Sequence, residues 1–302
     1  MGRHKSSLGR GRWRFFRHDA GKAAGPPPFV YVLLFIAAQI FGLWSALSLH
    51  ATVMWPANAI LLAAILQLHR HKAISVLFAC AAINLVSNVI RGDPTVFAVT
   101  NVGLNLMQVL VAALLARRLC GAALDMRRPV RLFRFAVGSV APAVAASTVL
   151  AGLIAILVGR MPEGTLAFRM RHLFDMELLA MLIVTPSLLL LARNHRFRDD
   201  AQAKPLEAAI LIGLVVAAAT WSFGQSLAPI LFIVFPPLIL LAFRLSPPAT
   251  AGVVILIAVI GGAATVTGHG PVALTRLTPD PSLDAIPPVM RQMNVFHLFL
   301  LA

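Results

Sequence analysis

VFAVTNVGLNLMQVLVAALLARR, residues 96–118, runs from Val96 to Ala116 without a charge and then meets Arg117 and Arg118. A helix needs about 20 apolar residues to cross the roughly 30 Å hydrocarbon core of a bilayer. This run is long enough, and the arginines mark where it leaves the lipid. Asn101, Asn105 and Gln108 are spaced four and three apart, so they share one stripe of the helix.

Working outward, nine further apolar runs appear: 29–49, 53–68, 73–90, 133–158, 172–192, 206–223, 229–243, 249–267 and 292–302. The second and eighth of the ten are short, which leaves them to tilt, re-enter or pack inside the bundle. Hydrophobic residues make up 59% of the 302 and charged residues 12%, against about 25% charged in soluble domains. Mean hydropathy is +0.85. A water-soluble fold cannot hide so much apolar surface, so the expected fold is all-α, a polytopic transmembrane helix bundle of about 8–10 spans.

The net charge of +15 would suggest nucleic acid in a soluble chain. Here the basic residues lie almost wholly between apolar runs, so topology explains them better and no nucleic-acid partner is expected. With the basic tail (1–28) in the cytoplasm and one crossing per run, 20 Lys and Arg fall inside and 6 outside. That asymmetry supports an N-terminus inside and about ten crossings of a bacterial inner membrane. The tail carries no cleavable signal and reads as a basic anchor against anionic headgroups. The last run, from Met293 to Ala302, would cover only about 15 Å, half the core. The expectation is that the natural polypeptide continues into the cytoplasm.

Polar residues inside spans are costly and point to sites. Trp55-Pro56-Ala57-Asn58 opens the second run; a well-made helix start explains Trp55 and Pro56 but not Asn58. Asn84 and Asn88 share a face of the third run, opposite the Asn101, Asn105 and Gln108 stripe of the fourth. Two readings stand: hydrogen-bond glue between helices, or a small polar cavity. In the sixth run, Arg171, His172 and Asp175 can form a local charge network. Asp175 and Glu177 project roughly 200° apart, so only one faces a cavity, and Asp175 is the expected one. Capping and dipole balance near a helix N-terminus is the competing account of both acids. The long 268–291 loop reads as a lid or a polar linker. Cys80 and Cys120 suit neither a disulfide framework nor a metal site. There is no phosphate-cradling glycine loop, HExxH or nucleophile elbow, so neither an enzyme nor a cofactor is expected.

At these residues the chain resembles the first class of bacterial membrane-associated sensor (MASE) domains. The likeness lies in Trp55-Pro56-x-Asn58 with Ala59 to Ala64, in Asn105-Leu106-x-Gln108 running to Arg117-Arg118-Leu119, and in Phe174-Asp175 through Pro186. Asn58 and Gln108 depart from it, standing where the family commonly has a small residue and an acid. The resemblance implies that residues 29–302 are an integral-membrane sensory domain. It further implies a cytoplasmic output domain in cis, a kinase or a cyclic-di-GMP enzyme, and a homodimer. The rival is a secondary transporter or channel, disfavoured by sparse intramembrane charge and the lack of an internal repeat.

Overall fold

The computed structural model describes residues 26–48, 54–121, 126, 128–158, 163–192, 203–226, 230–270 and 288–301. The tail up to residue 25 and residues 271–287 of the suggested lid lie outside them.

The elements are all helical, and each of the ten apolar runs becomes one rod. In chain order these are α1 (Pro28–Ser48), α2 (Ala57–Gln67), α3 (Arg70–Ile90) and α4 (Thr95–Leu119). The next rod joins α5 (Pro129–Phe135) to α6 (Ala141–Leu157) through a π turn at Ala136–Val140. Then come α7 (Glu163–Leu191), α8 (Pro205–Gly224), α9 (Phe235–Arg244, led in by a 3-10 turn at Leu231–Val234), α10 (Pro247–Val266) and α11 (Pro288–Leu301). Among the described residues seven rods are long and apolar enough to cross a membrane; α2, the α9 rod and the 14-residue α11 are shorter. The π turn precedes Pro142, whose ring cannot donate the helix bond and crowds the turn before it, so the ladder widens there.

The bundle is apolar outside as well as inside. Phe78, Val96, Leu157, Phe232 and Phe243 are among many large side chains left exposed. In lipid that surface costs nothing, so packing is decided by shape and by polar contacts. Loop contacts give the alternation of the rods. The Arg117 guanidinium donates to the Ile65 carbonyl at 2.8 Å, joining the ends of α2 and α4. The Ala203 amide donates to the Arg244 carbonyl, and Arg244 pairs with Glu207. The Gly270 amide meets Ser226 at the opposite end.

Two cores result. The first gathers α1 to α7, and the second gathers α8 to α11. α7 contacts α10 and α11 as well as its own core, and so joins the two.

The position of α2 organises the first core. It has 11 residues, about 16 Å, half a membrane thickness. Every residue from Ala57 to Leu66 is buried, because α2 is apolar all round and is packed by α1, α3, α4 and α7. Of the fates open to a short run, this one packs inside the bundle. At its C-terminal end Gln67 accepts from the Tyr31 hydroxyl (2.6 Å) and donates to the Leu188 carbonyl (3.1 Å). In its first turn, Thr185 donates to the Ala59 carbonyl. Its N-terminal end, carrying Asn58, therefore stops at mid-depth.

Candidate functional site

α7 decides the site. It starts at Glu163, nine residues before the apolar run that marks it in the sequence, and reaches Leu191 over 29 residues. Glu177 is its fifteenth residue and so lies at the centre of the span, not at a helix N-terminus. Capping cannot account for a carboxylate there. It is 5% exposed.

The N-terminal end of α2 supplies its partners. Asn58 Nδ2 reaches both Glu177 oxygens, Oε1 at 3.3 Å and Oε2 at 3.1 Å, and also donates to Asn105 Oδ1 at 3.1 Å. Gln108 Nε2 donates to Glu177 Oε2 at 3.1 Å and lies 3.2 Å from the Met181 sulfur. Ser147, on α6, donates its hydroxyl to Gln108 Oε1. Four helices thus meet at one hydrogen-bonded cluster: α2, α4, α6 and α7.

Beside it opens a cavity of about 450 Å³. Glu177, Gln108, Asn105 and Ser147 line its inner end, and Trp55 and Phe97 contribute aromatic wall. Towards the α3–α4 turn it is lined by Asn101, Arg91 and Asp93. Trp55 is held by α1: a Cβ at Gly42 would sit 2.3 Å from its ring, so only glycine admits this approach. His172 also lines the cavity and stacks on His297 of α11, with ring centroids 5.3 Å apart.

The structure sorts the residues singled out from the sequence into groups. Trp55, Asn101, Asn105, Gln108 and His172 line the cavity. Asn58 lies behind the lining and holds Glu177. Asn84 and Asn88 do not line it. Asn88 donates to Asn84 (3.5 Å) and to the Ala98 carbonyl (3.3 Å), and accepts from Asn101 (3.0 Å) and Arg91 (3.1 Å). Those contacts fasten α3 to α4. One stripe of α4 therefore serves both purposes, binding α3 through Asn101 and facing the cluster through Asn105 and Gln108.

Asp175 is the correction. It is buried, but its carboxylate turns to Arg171 at 3.6 Å and is not part of the cavity lining. Both acids are buried on this central helix, and the one that lines the cavity is Glu177, on the far side from Asp175. The sequence favours Asp175 because it lies four residues past Arg171 and three past His172. A usable signal is the room ahead of His172: a helix extended through Arg169 and Arg171, whose heads can reach water, moves Glu177 towards its middle. Ser147, a small hydroxyl in an alanine-rich run, gave no such signal. Among the described residues no group of His, Cys, Asp and Glu could hold a metal ion.

Comparison with curated proteins and with solved structures gives no match. A family model does match, over residues 29–278, which hold the cavity and most of the bundle; the chain belongs to the MASE1 family of membrane sensory domains.

Proposed function

We propose that this chain is the sensory input domain of a bacterial signal-transduction protein, and that the cavity at Glu177 is where its signal is received. The observation that carries this reading is a carboxylate at the centre of a span, held by amides and facing about 450 Å³ of space. A buried acid is expensive in a bilayer, and structural glue alone would be supplied by amides at lower cost. The N-terminus lies in the cytoplasm of an inner-membrane protein, and the cavity opens towards the periplasmic face. Membership of a sensory family supports a cytoplasmic output domain in cis, a kinase or a cyclic-di-GMP enzyme, acting in a homodimer. The change in packing passes along α7 to α11, which touch through His172 and His297.

A chimera bearing a diguanylate cyclase after α11 tests this. Filling the cavity with Ala151→Trp is expected to lock cyclase output in one state. Output that is indifferent to Ala151→Trp sinks the reading. A half-span helix ending at a buried polar cluster is also how some transporters build a site. Solute flux into proteoliposomes, abolished by Glu177→Gln, would favour that second reading.

A further inference from the structure

The cluster around Glu177 is incomplete in a particular way. A carboxylate has room for about four hydrogen bonds. Gln108 donates one to Oε2, and Asn58 divides one N–H group between the two oxygens, its longer contact, 3.3 Å, going to Oε1. Among the described residues Oε1 has no other hydrogen-bond donor. Among the described residues no cationic side chain pairs with Glu177. The arginine that lines the cavity, Arg91, is engaged by Asp93 and Asn88 at the other end. A carboxylate in a low-dielectric interior is either neutralised by a proton or paired with a cation, and the open space beside Oε1 leaves room for the cation.

The rest of the cavity says which kind. A dehydrated Ca2+ ion takes six to eight oxygen ligands. The nearby amide oxygens are already used, Gln108 Oε1 by Ser147 and Asn105 Oδ1 by Asn58. Much of the rest of the wall is aromatic or aliphatic, with Trp55, Phe97, Leu104 and Ile154, while His172 and the Asn101, Arg91 and Asp93 group add polar edges. Aromatic faces attract organic cations, and aliphatic walls take a carbon body.

We propose that the cavity binds a compact primary ammonium compound, its N–H groups on Glu177 Oε1 and its carbon body against Trp55 and Phe97. This rests on the reading of the cavity as the sensory site and names the class of signal. The test uses the full chain in nanodiscs, with Trp13, Trp44 and Trp221 replaced by Phe so that Trp55 reports. Butylammonium and cyclohexylammonium are titrated beside the matched alcohols and carboxylates and beside tetramethylammonium. The ammonium probes are expected to give a saturable change in Trp55 emission. Glu177→Gln should weaken it by at least about thirty-fold, as truncating one partner of a buried charge pair does. Glu177→Asp should retain a measurable part, and thermal unfolding of both variants checks that they fold. Equal binding of the alcohols or of tetramethylammonium overturns the ammonium assignment while leaving a ligand-binding cavity. Undiminished ammonium binding by a folded Glu177→Gln overturns it too. No saturable response to any ammonium probe also overturns it, and the effect of Ala151→Trp on output then decides separately whether the cavity is the sensory site.

Discussion

The two cores of the bundle are built from the same aliphatic and aromatic residues and differ in what else they bury. The first encloses Asn58, Asn88, Gln108 and Glu177, which bond side chain to side chain across helices, and Asn84, which bonds Asn88 within α3. In the second, Thr265 returns its hydroxyl to Gly261 of its own helix, and Ser222 donates to the Ile230 carbonyl. Its specificity comes from shape: Phe223 and Phe296 meet edge to face over Gly261. In lipid, apolar packing holds helices together without burying a carboxylate. The polar cost in the first core is what the proposed sensory role accounts for, and the second core shows packing carried largely by shape.

Four substitutions would break or sharpen this contrast. The largest effect is expected from Asn58→Leu, which strips a donor from a buried carboxylate and should lower stability by about 2–3 kcal/mol. Thermal unfolding in nanodiscs measures it. The double variant Asn58→Leu/Glu177→Leu should regain most of the loss, because an apolar pair leaves no orphan; if it does not, the cluster is not the seat of the cost. Next is Gly261→Ala in the second core. Its new methyl would meet Phe296 at 2.8 Å and Phe223 at 2.9 Å. The overpacking should cost about 1–2 kcal/mol while leaving the affinity for cyclohexylammonium unchanged. A fall in affinity would show that the cores are not separable. Asn101→Leu removes one interhelical amide and should cost about 0.6 kcal/mol, the usual worth of such a contact. Arg244→Ala opens a half-exposed ion pair with Glu207 and should change the unfolding midpoint by less than about 1 kcal/mol.

The rods were legible because each is announced by an apolar run bounded by charge, proline or glycine. The site was legible only in part. The stripe Asn101, Asn105 and Gln108 was evident, but not that its two ends serve different neighbours. Over seven residues the stripe climbs about 10 Å, enough to pass from α3 to the tip of α2. Periodicity reports the face of a helix and carries no record of which helix lies opposite. Glu177 was misplaced for a different reason. Arg169 and Arg171 made the sixth run look shorter than it is, whereas long cationic side chains near a span end are tolerated because their heads reach water.

The burial of α2 also constrains how the protein is made. Eleven residues are too few to partition into a bilayer as a span of their own. Their main partner, α7, emerges from the ribosome about a hundred residues later. Until then α2 must wait beside α1, α3 and α4 with Asn105 as the partner of Asn58, and it can seat fully only when Glu177 arrives. Assembly of the first half is therefore ordered by synthesis, and the polar cluster closes last, as the latch that completes insertion.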